Sequence, residues 1–137
     1  MVMLTYGKAL AVLEAARAAA AEESLTGAFA VVDAAGNDLA VGREATAAWF
    51  TGAVARAKAR TAARFGRPSV ELAHLAEHFS DVLAIATDEA GFRPVTLDGG
   101  VPLFRDGVLI GAIGVSGGAP EADRRCADRA AAALARV

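Results

Sequence analysis

Apolar residues recur along the chain with two different periods, and the change from one to the other divides it into elements. Across residues 5–23, Leu10, Leu13, Ala16 and Ala20 return at helical spacing, while Lys8, Glu14, Arg17 and Glu22 interrupt the apolar run. Thr5 stands where an N-cap is needed, so a first helix is predicted over residues 5–23. Residues 28–33, Ala-Phe-Ala-Val-Val-Asp, read as a short buried strand. A turn at 34–37 and a returning strand over 38–42 complete a hairpin.

Residues 48–65 resume the helical period, and Gly66 followed by Pro68 supplies a stop. Ser69 is placed to cap a shorter helix reaching Phe79. Residues 81–92 fit either a continued helix or a strand. A second hairpin follows, with strands over 101–105 and 108–115 joined by Asp106-Gly107. Pro120 opens the last helix at a favoured first-turn position, with Glu121 and Asp123 beside its positive end. Strands in adjacent pairs, with helices before and after each pair, predict an α/β fold of one domain. It is a three-layer α/β/α sandwich with a mainly antiparallel sheet built from two hairpins.

Composition narrows the class. The chain has 137 residues, 55% of them apolar but only 6% aromatic, and 36 are alanine, so helix layers can approach closely. One cysteine excludes an internal disulfide framework and a Cys-cluster metal site. No uncharged apolar run is long enough for a membrane helix, and no signal-peptide pattern opens the chain. The expectation is a cytoplasmic protein without a membrane partner. The net charge of −2 argues against non-specific nucleic-acid binding, yet it conceals an asymmetry. Residues 43–67 carry six bases and one acid, a net +5, which leaves −7 for the remainder.

Several constellations carry candidate chemistry. Gly114-Val115-Ser116-Gly117-Gly118 matches the G-x-S-x-G pattern of a nucleophile elbow, but no histidine follows it and a parallel sheet is not expected. A glycine-rich strand-to-helix connection can instead turn its amides toward a carboxylate or phosphate. His74 and His78 stand one helical turn apart, with Glu71 three residues earlier, as a metal or haem ligand set would require. Cys126 falls at helical spacing with Ala122, Ala130 and Ala133, which makes it a small core residue. Trp49 fits either the core or a subunit contact. In the second helix Val54, Lys58, Thr61 and Phe65 share a stripe that is apolar apart from Lys58 and Thr61. A lysine within such a stripe snorkels to its edge or faces a pocket.

Together these segments resemble the GlcG/HbpS-like family. Lys58-Ala59-Arg60-Thr61-Ala62-Ala63-Arg64-Phe65-Gly66-Arg67-Pro68-Ser69 is similar to its K-A-x-T-A-x-x-F-x-x-P-[ST] segment. Gly99-Gly100-Val101-Pro102 and Gly111-Ala112-Ile113-Gly114-Val115-Ser116-Gly117 resemble its G-G-V-P and G-A-I-G-V-S-G signatures. Residues 31–37 resemble its first-hairpin turn. Where members often carry R-M-D-G-A, this chain keeps Arg43 but continues Glu44-Ala45-Thr46-Ala47, and residues 68–94 also depart from the usual pattern.

The resemblance implies a small α/β/α sandwich that assembles as dimers or larger homo-oligomers. The family includes haem-binding proteins and a domain attached to some corrinoid adenosyltransferases. It implies a pocket for haem or a related anionic small molecule, bordered by Arg43, Lys58, Thr61, Gly99, Gly100, Ser116 and Gly117. Lys58 would pair with a carboxylate, Thr61 and Ser116 would hydrogen-bond, and the glycines would admit close backbone approach. His74 and His78 would be the iron-ligand candidates. An alternative is a cofactor-independent enzyme acting on a small organic acid or carbonyl compound, with Lys58 as its catalytic residue and the Ser116-Gly117 amides facing a developing oxyanion. A further alternative is a structural or interaction subunit without a ligand.

Overall fold

Thr5 caps the first helix, its Oγ1 accepting from the Lys8 amide at 3.2 Å. The computed structural model describes residues 3–137. Helix α1 (Tyr6–Glu22) buries Ala9, Val12, Leu13, Ala16, Ala19 and Ala20 along one face. Strands β1 (Ala28–Asp33) and β2 (Asp38–Arg43) form the first hairpin, whose turn is tied by Asp33 Oδ1 accepting from Ala35 and Asn37. Helix α2 (Thr51–Phe65) ends on Gly66 in the left-handed region. A 3-10 turn (Ser69–Glu71) leads into α3 (Leu72–His78) and α4 (Ser80–Ala90). Strands β3 (Gly100–Arg105) and β4 (Val108–Ser116) make the second hairpin. Helix α5 (Pro120–Ala133), with a closing 3-10 turn, completes the chain.

The four strands lie in the order β2-β1-β4-β3, every neighbouring pair antiparallel. Helices α1 and α5 pack together on one face of this sheet and α2 lies on the other, giving the three layers expected. Asp106 and Gly107 both take positive φ, 52° and 78°, as a two-residue I′ hairpin turn requires.

The two faces of the sheet are filled differently. Phe29, Val31, Leu103, Ile113 and Val115 meet α1 and α5, with Val12, Leu13 and Cys126 opposite. On the α2 side almost every contact is alanine: Ala28, Ala30 and Ala112 of the sheet against Ala55, Ala59, Ala62 and Ala63. Here glycine is a packing requirement. A Cβ on Gly114 would run into the Ala55 carbonyl, and one on Gly100 into the Lys58 carbonyl. Seven of the chain's alanines thus lie where a helix backbone sits almost on the sheet.

Two local expectations need correction. Helix α2 begins at Thr51 rather than residue 48, because the Ala48 carbonyl accepts from both the Thr51 amide (3.0 Å) and its hydroxyl (2.7 Å) in a preceding turn. Ser69 is not a cap: it is fully buried and its hydroxyl serves a distant loop. The helix expected to reach Phe79 does end there, at φ −140° and ψ 56°, and of the two readings open for 81–92 the structure takes the helix, α4. Helices α3 and α4 form an arm. Leu72 roots it in the body, whereas α4 buries no residue.

Gly114→Val adds a side chain where helix and sheet backbones meet, and overpacking of this kind costs about 1–3 kcal/mol. Urea denaturation of that variant is expected to show a loss in this range. Stability equal to the unsubstituted protein would refute the close-approach account.

Candidate functional site

Lys58 lies on the buried side of α2, within a helix face otherwise made of alanine and threonine. Its stem carries the ammonium to the end of β4. There Nζ donates to the Val115 carbonyl at 2.9 Å and to Asp123 Oδ2 at 3.0 Å. The two side chains are only 4% and 3% exposed. Asp123 comes from the first turn of α5, and its second oxygen accepts from the Gly118 amide at 3.0 Å. Burial pushes the Asp123 carboxyl above the ordinary range, against the opposing pull of Lys58 and the Gly118 N–H. One ion pair thus links α2, the last residues of β4 and the start of α5.

A strap over residues 95–100 closes beside this pair. Thr61 Oγ1 accepts from the Val95 amide at 3.0 Å. Ser69 Oγ donates to the Leu97 carbonyl at 2.6 Å and accepts from the Gly100 amide at 3.0 Å. Asp98 Oδ1 accepts from Gly99 N–H at 2.9 Å and from Arg124 Nη1 at 3.2 Å. Gly99 has φ +119°, and a Cβ there would lie 2.6 Å from the Val115 carbonyl and 3.0 Å from Lys58 Nζ.

Between the strap, the start of α2 and the β4–α5 turn lies an open cleft of about 380 Å³, within the size range of small-molecule sites. Phe50, Val54, Leu97 and Pro120 line it together with Lys58, Asp123, Ser116, Gly117 and Gly118. Phe50 and Leu97 are half exposed, and Trp49 is 85% exposed with its ring edge-on to Phe50 at 5.7 Å. The core placement open to Trp49 from sequence is thereby excluded. A larger groove of about 620 Å³ runs between α1 and residues 44–46, but exposed ion-paired Glu14, Arg17 and Glu44 wall it.

The structure brings Lys58, Ser116 and Gly117 to the cleft wall, with Gly99 and Gly100 packed behind Lys58. The other candidates stand elsewhere. Arg43 donates from Nη1 to the carbonyls of Glu44, Ala45 and Ala47, shaping the loop before α2. Thr61 is fully buried beneath the strap. His74 and His78 lie with ring centroids 4.5 Å apart and planes tilted by 46° on the exposed side of the arm, outside the cleft lining. Among the described residues no group of three His, Cys, Asp or Glu side chains is placed to hold a metal ion. Cys126 is a core residue as read from its spacing: burial first, and the nearby Glu23 carboxylate second, push its thiol up to about 11.

Three contributors escape a reading of the sequence: Asp123, Ser69 and the Trp49–Phe50 pair. The first left a signal. A lysine inside a buried stripe calls for a buried acid, and Asp123, in the first turn of a helix that follows a glycine-rich strand end, is with Glu121 one of the two acids just after the motif.

This is a small α/β/α sandwich with a partly apolar cleft at the strand-to-helix junction. The chain belongs to the HbpS-like family, described as haem degrading protein HbpS-like, whose profile matches residues 4–132. Among curated proteins, the corrinoid adenosyltransferase PduO of Salmonella typhimurium is 34% identical over 104 residues, covering 76% of this chain. The chain spans only 31% of that relative's length. Among solved structures, Klebsiella pneumoniae protein ORFY superposes with a TM-score of 0.88 at 27% identity, covering 100% of this chain and 94% of that one. A PduOC:haem complex gives 0.84 at 30% identity, covering 96% and 95%. HbpS gives 0.86 at 30%, covering 98% and 92%, and a double mutant of Streptomyces reticuli HbpS gives 0.84. No described helix is long and apolar enough to cross a membrane.

Two outcomes follow from the buried groups. Removing one partner of a buried ion pair costs about 3–5 kcal/mol, because the other charge is left uncompensated. Lys58→Met and Asp123→Leu should therefore each destabilise strongly in urea, while the double substitution should recover much of the loss. Additive losses would contradict the pairing. Because the raised Cys126 pKa favours the protonated thiol, iodoacetamide at mildly alkaline pH should leave the folded protein unmodified and alkylate it in denaturant. Rapid alkylation of the folded chain would overturn the assignment of Cys126 to the core.

Proposed function

We propose that this chain is a small-ligand-binding protein whose cleft accepts the face or edge of haem or a related anionic tetrapyrrole. One observation carries the reading: an apolar wall of Phe50, Val54 and Leu97, with Trp49 exposed beside it, next to a buried lysine at the strand-to-helix turn. The solved haem complex of a relative with the same fold supports it. The lining fits the macrocycle better than the iron. It holds no His, Cys, Met or Tyr among its residues, so the cleft of one copy supplies apolar contact without an axial ligand. The imidazoles available for iron are those of His74 and His78 on the arm. Lys58 already has two acceptors, so it places a positive charge near a ligand carboxylate rather than standing as a free base. Self-association belongs to this reading, as does a location without a membrane partner.

Trp49 is the sole tryptophan, which makes its emission a reporter on this one site. Titration with haem and, separately, with metal-free protoporphyrin should quench Trp49 at micromolar ligand, with affinities within a few-fold of each other. A His74→Ala, His78→Ala variant shows whether an imidazole reaches the iron: since both rings stand outside the cleft lining, quenching and the Soret band of bound haem are expected to match those of the unsubstituted protein. Emission unchanged by both porphyrins would overturn the proposal.

A further inference from the structure

Two charged surfaces of the chain lie outside the cleft, and they have opposite sign. Residues 43–67 carry a net +5, whereas residues 68–92 contain five acids (Glu71, Glu77, Asp81, Asp88, Glu89) and no lysine or arginine. The acidic stretch is the α3–α4 arm. Its second helix buries nothing against the body, and Phe79, Val82 and Ile85 are 54%, 53% and 65% exposed at spacings that put them on one side. An apolar strip of this kind, rimmed by acids, marks an interaction surface. Lys58 turns inward and Arg43 shapes a loop, but the other four bases share the outer side of α2, where Arg56, Arg60 and Arg64 follow one another every four residues and Arg67 comes just beyond the helix end. Within one copy the two do not neutralise each other. The carboxylate that Arg56 and Arg60 contact is Asp38, and Arg64 donates to the Ala90 carbonyl.

We propose that a second copy of this chain covers the arm: Phe79, Val82 and Ile85 of one copy dock on the outer side of α2 in the other, with the arm acids facing the α2 arginines. Charge complementarity selects this occupant, since the body of the same protein offers the matching basic surface. The arm departs only a few residues after α2 ends, so the acidic and basic faces are neighbours on one side of the molecule. A two-fold axis can then pair them reciprocally, each arm on the other copy's helix. Electrostatic pairing of this type is weakened by salt, whereas the apolar strip is not. The proposal assigns a surface to the self-association proposed above and does not depend on which ligand the cleft takes.

Sedimentation velocity of the full chain at micromolar concentration tests it without any ligand. The unsubstituted protein is expected to sediment as a dimer or larger assembly, and Val82→Glu with Ile85→Glu should reduce it to single copies with unchanged circular dichroism. Arg64→Glu with Arg67→Glu should weaken association by about tenfold or more, and adding Asp88→Arg with Glu89→Arg to the same chain should restore it. A monomeric unsubstituted protein would overturn the proposal, as would an assembly indifferent to both sets of substitutions or a charge swap without rescue. Porphyrin binding that fails while the assembly behaves as described would remove the ligand reading and leave this one standing.

Discussion

Three elements, α2 and the consecutive β4 and α5 more than fifty residues further on, meet at one ammonium group. Lys58 reaches from α2 to the Val115 carbonyl and to Asp123, and Asp123 in turn holds the Gly118 amide. A buried charge pair is weak evidence for stability, since the desolvation of both groups offsets much of their attraction. Its value is geometric: a buried lysine tolerates few alternative arrangements, because an unpaired charge at that depth is costly. The pair therefore fixes where the β4–α5 turn lies against α2, and that relation defines the cleft. No buried side-chain polar atom among the described residues lacks a partner, so the arrangement is complete without a ligand.

The close packing of α2 on the sheet allows this reach. Ala55 and Ala59 pack over β1 and β4, and Gly114 and Gly100 admit the helix backbone where any side chain would collide with a carbonyl. At a larger helix-to-sheet distance the lysine stem would end short of Val115. The family's glycine-rich segments thus have a packing reason at least as direct as a ligand-binding one. Gly99 shows both, its backbone lying against Lys58 Nζ in a conformation that side chains rarely adopt.

Layer order, hairpin pairing and the I′ turn at Asp106-Gly107 were legible in the sequence because each rests on a local signal: periodicity, an apolar run, or a two-residue turn that demands positive φ. Thr5 as a cap and Cys126 as a core residue were legible for the same reason. The strap was not. Thr61 and Ser69 each bond a backbone group about thirty residues away, and local sequence gives their hydroxyls several equally good uses. Ser69 beside Pro68 looks like a cap until Leu97 and Gly100 are placed above it. The end of a helix at Phe79 was legible, but the state of residues 81–92 was not, since a short apolar run fits helix and strand alike. Trp49 resisted for the opposite reason: its exposure comes from a turn that delays α2, and hydropathy assigns a tryptophan inward by default.

Charge was readable only in part. The +5 over residues 43–67 reads as one basic stretch, and the structure separates its members. Lys58 turns inward to a carboxylate, Arg43 shapes a loop, and Arg56 and Arg60 line the outer side of α2 near Asp38. The central claim is that the buried pair holds the cleft rim, and amide hydrogen exchange at Gly118 tests it most directly. The account predicts that this amide is protected in the native protein, although Gly118 itself is exposed, and that Asp123→Ala accelerates its exchange by about a hundredfold while amides in the centre of β1 stay protected. Fast exchange at Gly118 in the unsubstituted protein, or a rate that Asp123→Ala leaves unchanged, would contradict it.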